Sequence, residues 1–272
     1  MSATPQLPPF AKLEQKTLID LVTNGKRIDD RTADSYRSIN LQIGLIEKAN
    51  GSAQISLGKS KVLVGVKVET GTPFPDTPDE GVLTVNAELV PLASPLFETG
   101  PPSEQAIELA RVIDRGIRES KAIDMKSLVL QRGKKTRVVF VDIYILDHDG
   151  NLIDAASMAA LAALVSAKLM KAEMKGDEVV YKPGLHPLPI NNHPVAITFA
   201  KVGKMLVVDP ILEEEHVMNA RLTVTIDKNG NVCAMQKGGL SGFTQEELKM
   251  AVHTAVQKAA ENRAKILAAA KN

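Results

Sequence analysis

Lys182-Pro183-Gly184-Leu185-His186-Pro187-Leu188-Pro189-Ile190-Asn191-Asn192-His193-Pro194 holds four prolines. Proline fixes φ and withholds the amide that a helix interior or a central strand needs. The stretch therefore predicts a seam between two folded units, a larger one over 1–185 and a smaller one over 186–272. With 272 residues, 44% of them hydrophobic, the chain has material for a substantial core.

Walking back from the seam, residues 155–172 are mostly Ala, Met, Leu, Ser and Val in their first half, predicting a helix packed deep in the core by its small side chains. Residues 138–146 read as a buried strand, and Asp147-His148-Asp149-Gly150-Asn151 as a turn. Ser103 is placed to cap a helix behind Pro101 and Pro102, and Ala106, Leu109, Ala110, Ile113 and Ile117 recur at helical spacing towards Lys121. Strand-like runs at 39–46, 53–57, 61–69 and 83–89 predict an antiparallel sheet, interrupted by a surface loop over 71–81 rich in Pro, Asp and Thr. A first helix follows Pro8 and Pro9 through Leu13, Leu18, Ile19 and Val22, and stops at Gly25.

Beyond the seam, strands are expected at 195–200, 205–208, 222–226 and 232–235, with Asn229-Gly230 as a hairpin turn. Thr244 and Glu247 form a capping box for a long helix that turns Leu248, Ala251, Val252, Ala255, Val256 and Ala259 inward. Both halves run strands first and a long helix later, so the fold class is α+β in two related lobes.

Composition narrows function. The formal charge is only +1, so contact with nucleic acid requires local clusters of cations. Aromatic residues are 3% of the chain, with no tryptophan, which argues against a base-stacking platform. Cys233 is the only cysteine, which excludes an intrachain disulfide framework and fits the cytoplasm. No apolar run approaches a membrane span, and no secretory leader is recognisable.

Arg111, Arg115 and Arg118 lie within an arc of roughly 60° on the helix that follows Ser103. Phosphate is a favoured bidentate partner of arginine, so this face is a candidate RNA-binding surface, although Glu108, Asp114 and Glu119 stand close enough for ordinary ion pairs. Lys126, Arg132, Lys134, Lys135 and Arg137 form a second basic stretch, read as a hairpin or loop. Lys237-Gly238-Gly239-Leu240-Ser241-Gly242 is a weak candidate for an amide cradle. Glu213, Glu214 and Glu215 read as a solvated helix start rather than a metal cluster, and the scattered histidines lack zinc spacing, so no metal or cofactor is assigned.

Gly25-Lys26-Arg27-Ile28-Asp29-Asp30-Arg31 with Tyr36-Arg37 resembles the entry motif of the RNase PH family, apart from Asp30 where glycine is usual. Asn50-Gly51-Ser52-Ala53, Pro101-Pro102, Ile107-Glu108-Leu109-Ala110-Arg111, Asp154-Ala155 and Asp209 extend the likeness over nearly the whole chain. The resemblance implies the RNase PH fold, with a first lobe like ribosomal protein S5 domain 2. Arg221 stands where the family keeps a catalytic aspartate, and Glu104 and Gln105 replace two arginines of the active members. Ala156, Ser157 and Met158 are taken to replace a Gly-Thr-Arg-like phosphate loop.

The chain is thus similar to the non-catalytic subunits of the archaeal exosome. That likeness implies a six-membered ring, a trimer of heterodimers with a catalytic RNase-PH-like subunit, S1- or KH-type cap proteins, and single-stranded RNA degraded from its 3′ end by phosphorolysis. It also implies that Arg111 and Arg115 touch RNA phosphates, Arg118 following by helix geometry. Two other readings stay open: an active exoribonuclease using Asp209 and the glutamates after it, and a ring scaffold indifferent to RNA.

Overall fold

The computed structural model describes residues 12–176 and 178–270; Pro8 and Pro9 lie outside them. Two lobes of α+β structure share one continuous core. The first contains β1 (Ile39–Ile43), β2 (Gly51–Leu57), β3 (Ser60–Gly71), β4 (Val82–Leu89), α2 (Glu104–Glu119), β5 (Val129–Gln131), β6 (Lys135–Asp147) and α3 (Leu152–Ser166). The hairpin β7 (Lys168–Lys175) and β8 (Glu178–Pro187) follows. The second lobe contains β9 (Val195–Val202), β10 (Met205–Val208), α4 (Leu212–Val217), β11 (Ala220–Ile226), β12 (Val232–Gly239) and α5 (Gln245–Ala269). No described helix is long and apolar enough to cross a membrane.

The first sheet runs β1-β2-β3-β6-β4 with β5 added to β6, and the second runs β10-β9-β11-β12. The second is antiparallel throughout, whereas β4 lies parallel to β6 in the first. The purely antiparallel expectation fails there because α2 carries the chain back along the sheet between the two strands, as a crossover requires. Helix α3 packs on the first sheet and on β9, and Ala155, Ala156, Met158, Ala159, Ala160, Ala162 and Ala163 are fully buried or nearly so. Its small side chains let backbones approach: a Cβ at Gly51 of β2 would collide with the carbonyl of Ala163.

That helix ends earlier than its composition predicts. Ala167 turns to extended backbone, and Lys168 begins a strand in register with Pro187. Helix-favouring residues in the second half lose to pairing with β8 and to burial of Leu169 in the core. The proline-rich stretch is likewise strand as far as Pro187, in a two-stranded ribbon whose open edges tolerate a missing amide. The chain therefore passes the expected 185/186 seam inside β8 and enters the second sheet at Val195.

Helix α1 (Lys12–Thr23), expected with the first lobe, packs on the second: Val22, Leu18 and Ile19 cluster with Ala200, Val202, Val207 and Val217. The segment after it is fastened by arginines. Arg27 is buried, donates from Nε and Nη2 to Glu214 at 2.8 and 2.5 Å, and reaches the carbonyls of Val208 and Asp209. Arg31 and Arg37 both pair with fully buried Asp209, at 2.9 and 2.7 Å, and Asn151 donates to the same carboxylate. Arg37 also reaches the carbonyls of Asp149 and Gly150, so one network ties the entry segment to the β6–α3 turn and the β10–α4 turn.

Candidate functional site

Helix α2 starts because Ser103 caps it, its side chain accepting from the amide of Ala106 at 3.2 Å. Leu109, Val112, Ile113 and Ile117 bury one face, and Gly116 lets the helix close on Thr225 of β11. The opposite face looks onto a cleft of about 290 Å³ lined by Glu104, Ile107, Glu108, Arg111, Arg115 and Gln236 of β12. Arg111 and Arg115 are exposed there and make no hydrogen bond or ion pair with a described residue. Arg118 differs. Its guanidinium pairs with Asp114 at 2.7 Å, bonds the Leu83 carbonyl at 3.3 Å, and lines a separate cavity with Phe74, Glu80 and Lys121. The structure thus brings together two of the three arginines.

Beside the cleft is a small pocket of about 90 Å³ lined by Gln105, Glu108, His148, Asn151, Thr198, Glu215 and Arg221. Nη2 of Arg221 donates to Oε1 of Glu108 at 2.6 Å, while its buried Nε has no partner among the described residues. Glu215 projects from α4 to accept the Asn151 amide at the start of α3 at 2.9 Å, so a carboxylate of the chain itself sits at that helix N-terminus. Burial pushes the Glu215 carboxyl up to about 7. Burial also drives the His148 imidazole down to about 4, leaving it neutral at physiological pH. An arginine cannot accept a proton as a carboxylate does, so the pocket has no free general base at position 221.

Several expectations need correction. Two of the three glutamates at the start of α4 are not solvated: Glu214 is fully buried against Arg27, and Glu215 accepts the Asn151 amide. Asp209 is no alternative catalytic acid, because its carboxylate is buried and taken by Arg31, Arg37 and Asn151. Ala156 and Met158 lie fully buried inside α3, which begins at Leu152, so the residues at the helix start beside the pocket are Asn151, Leu152 and Ile153. The expected amide cradle is strand as far as Gly239, which pairs with Ala220. The second basic stretch is the hairpin expected of it from Arg132 onward, with Arg132 and Lys134 in the β5–β6 turn; only Arg137 departs from a solvated role, being buried and bonded to the Met170 carbonyl at 2.5 Å.

Sequence reasoning missed the buried network of Arg27, Arg31 and Arg37 and the coupling of Arg221 to Glu108. The only signal for the former was an arginine-rich segment whose acids stand some 180 residues away, as for Arg27 and Glu214. For the latter, the partners lie 113 residues apart.

Comparison with known proteins bears directly on this geometry. Residues 35–170 match the model of the 3′ exoribonuclease family, domain 1, and residues 192–258 that of its domain 2. The chain is 50% identical over 266 residues to the exosome complex component Rrp42 of Thermococcus kodakarensis, covering 97% of this chain and 98% of that protein. Rrp42 of Pyrococcus abyssi is 54% identical over 254 residues, 93% of each. A structure of the Archaeoglobus fulgidus exosome with RNA bound to the active site contains a chain that superposes with a TM-score of 0.86 at 43% identity, over 93% of this chain and 98% of that one. A chain of an archaeal exosome core superposes with a TM-score of 0.83 at 40% identity, over 94% and 96%.

Proposed function

The chain belongs to the RNase PH family of 3′ exoribonucleases, and on that premise we propose that it is a non-catalytic subunit of an archaeal exosome ring that holds RNA for a catalytic neighbour. The ring is a trimer of heterodimers with the catalytic RNase-PH-like subunit, capped by S1- or KH-type proteins, in the cytoplasm. Within it the two lobes form the wall, and single-stranded RNA passes over α2. Arg111 and Arg115 grip phosphates, which positions the strand without reading its bases. Arg118 is the lesser contributor, since Asp114 already satisfies much of its charge.

The single observation that carries this reading is the contrast at α2. Two exposed guanidiniums line a cleft without an ion pair to any described residue, while the adjoining pocket is lined by the Arg221–Glu108 pair and by Glu215. A chain that degraded RNA by itself would need an available carboxylate and an open anion site; those positions hold an arginine and an internal carboxylate. Assembling Arg111→Glu/Arg115→Glu protein with the catalytic subunit tests the proposal. RNA affinity should fall roughly 10–100-fold with the ring intact by mass. Unchanged affinity would remove the arginine assignment and favour a ring scaffold indifferent to RNA.

A further inference from the structure

Glu108 lines both the blocked pocket and the arginine cleft. On α2 it precedes Arg111 by three residues, a spacing at which carboxylate and guanidinium pair readily on a helix surface. It does not pair there. Its Oε1 instead accepts from Arg221, which reaches over from β11 at 2.6 Å. The side chain of Arg221 is 18% exposed and that of Glu108 40%, so the carboxylate is drawn to the pocket side by a largely sheltered cation.

We infer that Arg221 is a positioning residue for RNA: by holding Glu108 it keeps that carboxylate off Arg111 and leaves the guanidinium available for phosphate. The inference rests on the reading that Arg111 and Arg115 bind RNA. A carboxylate three residues away competes with phosphate for the same guanidinium, and its charge repels the strand. Arg221 lessens both effects together without abolishing them, since Glu108 stays 40% exposed. The arginine that replaces an acid in the pocket thereby serves the cleft next to it, and position 221 acts through Glu108 without touching RNA. Gln236 closes the far side of the cleft with a neutral amide, so Glu104 and Glu108 are the acids that line it.

The test uses the ring assembled with the catalytic subunit, titrated with labelled single-stranded RNA at several salt concentrations. Arg221→Met should weaken binding roughly 3–10-fold and flatten the salt dependence by up to about 0.7 in log–log slope, the loss of one phosphate contact. Adding Glu108→Gln to that variant should restore parental affinity, a rescue that a merely structural role of Arg221 would not produce. Glu108→Gln alone should bind RNA more tightly than the parent, which keeps the inference testable if Arg221→Met fails to assemble. Parental affinity in Arg221→Met, failure of the second change to rescue it, or weaker binding by Glu108→Gln would each overturn the inference. The Arg111→Glu/Arg115→Glu ring, run alongside, separates the two levels: a loss there without one in Arg221→Met leaves the RNA assignment standing and removes only the role of Arg221.

Discussion

Two sets of arginines in this molecule face opposite surroundings. Arg27, Arg31 and Arg37 are sheltered, with side-chain exposures of 2%, 12% and 7%, and are matched by Glu214, Asp209 and Asp149. Arg111 and Arg115 stand on a helix surface with no described counter-ion. A buried guanidinium must find its acids within the fold or destabilise it. An exposed one can await a ligand. Burial and the supply of counter-charge, rather than residue type, thus divide structural arginines from those available to a phosphate backbone.

The largest effect is expected at Asp209. Asp209→Ala leaves Arg31 and Arg37 without their shared acceptor and should cost about 3–5 kcal/mol of unfolding free energy, read by chemical denaturation. Arg111→Glu/Arg115→Glu should leave stability within about 0.5 kcal/mol, because no described ion pair is lost. A large stability loss there would erase the distinction between the two sets.

Glu215 gives a smaller effect with a defined sign. Its folded value, about 7 against an ordinary 4.5, is raised, so its contribution to stability is fully present below 4.5 and is lost as pH rises through about 7. Glu215→Gln keeps an oxygen for the Asn151 amide and needs no ionisation. It should be more stable than the parent by about 1–3 kcal/mol at pH 8, with the difference closing below pH 4.5, as followed by thermal melts across that range. A small effect is also expected at Arg118→Ala: about 0.5 kcal/mol of stability from the surface Asp114 pair, and little change in RNA affinity.

Local patterns made much of this legible. Ser103 and the apolar stripe on α2, the Thr244–Glu247 capping box, and the strand runs of both lobes depend on neighbours in sequence, and each element formed where its pattern stands. What escaped depends on distant partners. Lys168–Lys175 has the composition of a helix and became strand because β8 pairs with it. The direction of β4 follows from the α2 crossover, and no periodicity encodes it. Spacing grouped Arg111, Arg115 and Arg118 and the resemblance already ranked Arg118 apart, but which acid pairs with which arginine, and the hold of the Leu83 carbonyl on Arg118, depend on the fold. Glu214 and Glu215 looked solvated because consecutive acids usually are; Arg27 and the start of α3 claim them instead.

In the proposed role this chain holds RNA but does not degrade it unaided. The direct test is to incubate the purified chain with single-stranded RNA and inorganic phosphate, with and without the catalytic subunit, and to measure nucleoside diphosphates released. The chain by itself should release none, and release should begin once the partner is added. Phosphate-dependent release by the chain alone would mean that it degrades RNA unaided.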